Sequence, residues 1–230
     1  MRQMMLDHIR IAEALRYLGY GQKEPDPATA ALIARCEKEL LAKIRARFLY
    51  RVFPIETIDE RQKTVSLTGC RLVLSGRDIL SHLAGCEKAV LFCATLGAGV
   101  DTLIRRAQVE DMGCALIYDA MASAAIEQIC ELAEEVIRDA CAPYHMTWRF
   151  GAGYGDLPIE IQGDFLNVLE AQKKIGLCVS ASHMLTPGKS VTAVIGLAKH
   201  EIARARRGCA VCHARDHCPF RKRGERCEFS

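Results

Sequence analysis

Arg149, Gly151, Gly153, Tyr154 and Gly155 stand together in the stretch Arg149-Phe150-Gly151-Ala152-Gly153-Tyr154-Gly155-Asp156-Leu157-Pro158. Glycines at this density let the backbone take positive φ and let a ligand come close to it. Arg149 adds a planar fork of donors suited to a carboxylate. Tyr154 adds a ring face and a hydroxyl. A loop so built suits a small, polar, zwitterionic ligand. The same residues also suit a plain tight connection with Tyr154 packed on the core, because glycine-rich turns are common. The loop alone does not separate the two readings.

The residues C-terminal to the loop favour the first reading. After the arginine come three residues, Gly153-Tyr154, three more residues and Pro158. Residues 158 to 176 read as a helix ending in Lys173-Lys174-Ile175-Gly176, with lysines that suit the C-terminal dipole and a glycine that suits the left-handed cap. Cys178 to Ser182 and Val191 to Leu197 read as strands joined through Thr186-Pro187-Gly188, and Lys189-Ser190-Val191 comes directly after that turn. This ordered set resembles the activation domain of cobalamin-dependent methionine synthase. That family carries Arg-x-x-x-Gly-Tyr-x-x-x-Pro, then a helix, a strand and Pro-Gly-x-Ser-Val. The resemblance covers about residues 145 to 196, with a looser match upstream to about residue 85. Several ordered motifs at matching spacing are more specific than one glycine-rich loop.

The resemblance implies S-adenosylmethionine as the ligand. It implies that one electron and the ligand's methyl group restore methylcobalamin from inactive cob(II)alamin on the partner. The expected partner is a cobalamin-dependent methionine synthase or another corrinoid protein, with a flavodoxin- or ferredoxin-type electron donor. Arg149 would take the ligand carboxylate, Gly151 and Gly153 would offer backbone groups, and Tyr154 would pack on an apolar or cationic part. Glu127, aligned within Asp119 to Glu127 on the family's long helix, would accept the ammonium or ribose hydroxyls. The plainer reading of Glu127 is a solvated glutamate on an amphipathic helix. Asp156 stands where the family has a small residue, and capping of the next helix is its preferred role. No protein acid or base is required, since the sulfonium is a good leaving group and the corrinoid the nucleophile.

The chain also departs from the family. The aromatic pair expected after Pro-Gly-x-Ser-Val falls on Ile195 and Gly196. The family's early aspartate ligand has no counterpart in the N-terminus. Nothing resembles the homocysteine, folate or cobalamin modules. The expectation is a free-standing activation subunit, unable to make methionine alone.

Cys209, Cys212, Cys218 and Cys227 form a second cluster, with His213 and His217 among them. One Cys-x-x-Cys pair and two more loosely spaced cysteines fit a zinc knuckle or an iron–sulfur ligand set. An exposed redox dithiol and an inert tail remain as other readings. Zinc would make the tail structural, and a cluster would make it an electron route. Nine Lys/Arg against four Asp/Glu lie between Lys199 and Ser230, which suits an acidic protein partner. The tail also supports a rival function: a non-catalytic interaction protein whose basic knuckle binds nucleic acid or an acidic partner. Only Phe220 and Phe229 could stack on bases there, so nucleic acid is not the expected partner.

The remaining residues must position these groups. With 230 residues, half of them apolar, and a net charge of +3, the chain can bury a substantial core. No apolar run has the length of a membrane span and no signal-peptide core is present, so a cytoplasmic protein without a membrane partner is expected. The eight cysteines from Cys36 to Cys178 read as buried free thiols. A helical stripe runs through residues 3 to 18, and a clearer amphipathic helix through 27 to 48, with Pro27 near its start. Residues 50 to 67 read as two strands turning near Asp59-Glu60. Asp78 to Leu83 reads as a short helix capped by Asp78 or Ser75, and Ala89 to Thr95 as a central strand. Cys114 to Ala140 is the longest helix. The fold class is α+β, a largely antiparallel central sheet flanked by helices with a short cysteine-rich C-terminal tail. The expected division is 1–200 for the activation-domain-like part, with a helical region to about 48, and 201–230 for the tail.

Overall fold

The structure is a computed structural model that describes residues 2–21 and 23–202, together with His217. Cys209, Cys212, Cys218 and Cys227 lie outside the described residues. The elements in chain order are β1 (Arg2–Gln3), α1 (Ile11–Tyr17), α2 (Pro27–Lys43), β2 (Arg47–Asp59), β3 (Thr64–Leu67), β4 (Val73–Ser75), α3 (Arg77–Leu83), β5 (Lys88–Thr95), α4 (Ala98–Glu110), α5 (Met112–Ala140), β6 (His145–Met146), a 3-10 turn (Ile159–Ile161), α6 (Gln162–Leu169), α7 (Ala171–Ile175), β7 (Cys178–Val179), β8 (Leu185–Thr186) and β9 (Ser190–Ala198).

Among the described residues, seven strands form one antiparallel sheet in the order β4-β3-β2-β5-β9-β6, with β1 paired to β2 off that path. β7 and β8 form a separate hairpin. The apolar run Ala89–Thr95 is the centre, buried along its whole length between β2 and β9. Its continuous hydrophobicity reflects burial on both faces. Val90, Phe92 and Ala94 join Ile195 and Leu197 in one core, covered by α1, α2, α4 and α5. Ala89, Leu91 and Cys93 join Val194 in a second core, covered by α3, α6 and α7. Helices therefore flank both faces.

α5 spans about 44 Å at the usual helical rise. Its buried Ala120, Ala122, Ala124 and Ala125 allow close packing on the layer below. The Asp111 side chain caps it by accepting from the Cys114 N–H at 3.1 Å. α2 begins as its sequence signals, with Pro27 in the first turn and the Asp26 carboxylate accepting from Ala28 and Thr29. It ends at Lys43 rather than near 48, because Ile44 turns extended and the chain enters β2.

The N-terminal stripe is helical only from Ile11. Residues 8 to 10 give their backbone groups to side chains of other helices instead. Arg10 N donates to Gln128 Oε1 at 2.9 Å, Gln128 Nε2 donates to His8 O at 3.3 Å, and Ile9 N donates to Glu37 Oε1 at 2.7 Å. The helix expected over 158–176 is broken at Glu170, which is left-handed at φ 53°. The break lets Leu169, Ala171 and Ile175 all reach the second core.

The eight cysteines from Cys36 to Cys178 are all free, and five of them are buried. Burial pushes the Cys86 thiol up to about 11 and the Cys93 thiol up to about 12. Both stay protonated and pack as small apolar groups.

Gly196 lies on β9 with Cys86 at its back. A Cβ placed there would stand 2.5 Å from Cys86 Sγ and 3.0 Å from Thr147 Cγ2. Ile195 beside it is fully buried. The two positions that carry aromatics in the resembling family are thus closed to large side chains here. Gly196→Ala is expected to destabilise the chain by about 1–3 kcal/mol through overpacking. Cys86→Ala in the same chain should return part of that loss. Urea unfolding of the two single variants and the double variant checks this, and simple additivity would refute the steric account.

Candidate functional site

The site grows from an irregularity in the pairing of the chain with β9. His145, Met146 and Thr147 pair in step with Ala198, Leu197 and Gly196. Phe150 then bridges Val194, with N–H to O distances of 2.9 and 2.8 Å. Trp148 and Arg149 together therefore stand opposite the single residue Ile195. This two-against-one arrangement is a β-bulge, which re-aims side chains. Here it sends Trp148 and Arg149 to opposite faces of the sheet.

Arg149 reaches toward α5. Its Nη2 lies 2.9 Å from Glu127 Oε2, and its Nε lies 2.7 Å from Glu134 Oε1. Glu127 and Glu134 are two helical turns apart on one face of α5. Arg149 and Glu134 are 16% and 15% exposed, whereas Glu127 is 35% exposed. Glu134 is the inner anchor of the guanidinium and Glu127 the outer one. Arg10 pairs with Glu131 on the same helix, and Tyr17 lies close enough to Glu127 to feel its charge.

On the other face, Trp148 stacks into an aromatic group. Its ring centroid is 4.8 Å from His82, 5.3 Å from Phe150 and 5.7 Å from Tyr154. Thr147 Oγ1 lies 2.9 Å from His82 Nε2 and accepts from Gly196 N–H at 2.7 Å. Tyr154 meets Trp148 and Phe150 edge-on yet stays 44% exposed. It is neither a core residue nor a free one, and its outer surface is available to a planar group.

The loop between them is held by its own backbone and by α3. Tyr154 N donates to Gly151 O, Gly153 N to Leu157 O, and Leu157 N to Tyr154 O, at 2.9–3.1 Å. Asp156 accepts from Arg77 N at 2.7 Å and from Asp78 N at 3.0 Å. It is a helix cap as expected, but for the earlier helix α3 and not for the next one. Neither Asp78 nor Ser75 serves as that cap. The contact needs Gly76 at φ 137° and Gly155 at φ 58°. A Cβ on Gly76 would overlap Asp156 Oδ1, and one on Gly155 would overlap Asp78 Oδ2.

The segment Pro187-Gly188-Lys189-Ser190-Val191 enters from the far end of β9. Gly188 N donates to Asp101 Oδ2 at 2.7 Å, and Ser190 Oγ to Thr95 Oγ1 at 2.8 Å. Lys189 Nζ reaches α5, 2.8 Å from Asp119 and 2.9 Å from Ser123. The expected residues Arg149, Gly151, Gly153, Tyr154 and Glu127 are thus brought to the β6 edge of the sheet, with Arg149 and Glu127 in direct contact. Glu134, Trp148 and Lys189 are additions. Glu134 could have been picked out as the acidic residue seven after Glu127, and Trp148 as the single tryptophan beside Arg149.

Backbone donors hold the Asp156 carboxyl below the usual aspartate range, chiefly those of Asp78 and Arg77. A folded pKa lowered in this way contributes stability above the ordinary value of about 3.9 and loses it as pH falls through the lower folded value. Asp156→Ala should cost about 1 kcal/mol at neutral pH. Its difference from wild type should shrink as the pH drops below about 3.9. Urea midpoints across that window measure this, and a pH-independent gap would refute the capping role.

Among the described residues no group of His, Cys, Asp and Glu is placed to hold a metal, and no helix is long and apolar enough to cross a membrane. No family model matches the sequence, and no curated protein matches it. Among solved structures, the crystal structure of the MetH reactivation domain bound to AdoHcy is similar, at a TM-score of 0.64 and 14% identity. The likeness covers 97% of this chain and 85% of that one. It extends well beyond the motif-bearing residues 145–196 and establishes the fold.

Proposed function

We propose that the chain binds S-adenosylmethionine at the bulge and glycine loop, and so supports reductive methylation of cob(II)alamin held by a cobalamin-dependent methionine synthase or related corrinoid protein. The observation that carries this reading is the Arg149–Glu127 pair, set beside an exposed tyrosine and glycine backbone in a fold shared with a reactivation domain bound to AdoHcy. The ligand's amino-acid part matches the pair in chemistry. Its carboxylate suits the guanidinium and its ammonium suits Glu127, which is the outer and more solvated of the two carboxylates. Trp148 and Tyr154 offer aromatic surface to the planar base. Gly151 and Gly153 keep the backbone approachable.

The bound cofactor supplies an electrophilic methyl group on a sulfonium that departs as a neutral thioether. One electron from a flavodoxin- or ferredoxin-type donor together with that methyl group converts cob(II)alamin to methylcobalamin. The protein's own part is to bind and orient the donor, a proximity effect that needs no proton transfer. Residues up to about 200 form the binding part in this reading. The tail beyond, with Cys209, Cys212, Cys218 and Cys227 as ligands of zinc or an iron–sulfur cluster, is proposed as its structural or electron-carrying extension.

Calorimetric titration of S-adenosylmethionine and S-adenosylhomocysteine into the purified chain tests the ligand. Saturable binding of both is expected, and no heat from either refutes the reading. Arg149→Ala is a poor companion variant, because it would leave the mostly buried Glu134 without its cation. Arg149→Lys keeps the charge and loses the planar fork. It should bind the ligand at least about tenfold more weakly with a thermal midpoint close to wild type. Undiminished binding would remove Arg149 from the site.

A further inference from the structure

We propose that Lys189 is a second cation of the ligand site, sharing the carboxylate of the ligand's amino-acid part with Arg149. The inference rests on the S-adenosylmethionine reading above and deepens it. Lys189 fills the unspecified position of the Pro-Gly-x-Ser-Val motif, so the motif itself gives it no role. Its placement does. The lysine is only 18% exposed, and its ammonium is drawn across to α5 at Asp119 and Ser123.

Asp119, Ser123 and Glu127 succeed one another at intervals of four residues and so line one face of α5. Lys189 holds the first two, and Arg149 holds the third. The two cations thus reach the same face about one helical turn, ~5.4 Å, apart. That spacing suits a carboxylate contacted from both sides, with the ammonium beside it turned to Glu127.

The anions that now occupy these cations are the ones most readily released. Asp119 is 57% exposed and Glu127 is 35% exposed, so each can return to water at small cost. Glu134, the inner carboxylate, stays on Arg149 Nε. The backbone of Lys189 is fixed as well, since its carbonyl accepts from Leu96 N at 3.0 Å. The side chain therefore swings from a set point rather than with a mobile loop. Taken together, two cations face three carboxylates, Asp119, Glu127 and Glu134, a net charge of −1. A sulfonium zwitterion with net charge +1 balances that set.

The test uses the full chain, two ligands and two variants. Methylthioadenosine carries the same nucleoside and thioether but lacks the amino-acid part. Lys189→Met should weaken S-adenosylmethionine binding at least about tenfold and leave methylthioadenosine within about twofold of wild type. Lys189→Arg should recover most of the lost affinity. Unchanged S-adenosylmethionine binding in Lys189→Met overturns the assignment. Equal weakening of both ligands also overturns it, because that pattern reports a disturbed fold rather than a lost carboxylate contact. If the wild-type chain binds neither ligand, the cofactor reading fails and the role of Lys189 fails with it. Wild-type binding that Lys189→Met leaves intact removes Lys189 alone.

Discussion

Burial of the β5–β9 pair on both faces is the constraint on which the rest of the structure depends. Two adjacent strands with apolar side chains above and below need a covering layer on each side. α5 and its neighbours supply one, and α3, α6 and α7 the other. With both faces closed, a polar ligand can approach β9 only along the border where β6 leaves it. The bulge at Trp148 and Arg149 sits at that border. One residue too many in the pairing sends an aromatic ring into one layer and a guanidinium toward the other.

The charges that meet at this border are only half withdrawn from water. Deep burial would make the ion pairs costly to assemble, and full exposure would make them too weak to orient anything. The observed gradient lies between these limits. Glu134 fixes the guanidinium from inside, and Glu127 lies on the solvent side. Arg149 is therefore oriented in advance, with one exchangeable partner. Such preorganisation is the usual means by which a binding residue reaches high selectivity.

Much of this was legible in the sequence, and the failures share a cause. Local signals were reliable: Pro27 and Asp26 at the start of α2, the apolar run of β5, the long α5, and the turn between β2 and β3. The loop and Glu127 were found through ordered motifs, and the structure puts Arg149 and Glu127 in contact. What could not be read depends on partners far away in the chain. The unwinding of residues 8 to 10 depends on Gln128 and Glu37. The cap of α3 comes from Asp156, 78 residues after Asp78. The break at Glu170 serves burial of side chains on both sides of it. Glu134 carries no motif, and its role appears only once the bulge aims Arg149 at α5. The resemblance also marked Ile195 and Gly196 as departures, and Cys86 and Thr147 supply the physical reason.

The mutual lock of the loop and α3 bears on kinetics. Gly76 and Gly155 let two backbones meet so closely that Asp156 bonds directly to the start of α3, and α3 in turn packs on β3, β4 and β9. The loop is thereby part of the sheet's support rather than a lid over it. A ligand arriving there finds the backbone already ordered, so little chain entropy is lost on association. Encounter would then be governed by diffusion and by the exchange of surface carboxylates, which takes nanoseconds, rather than by slow closure of a flap.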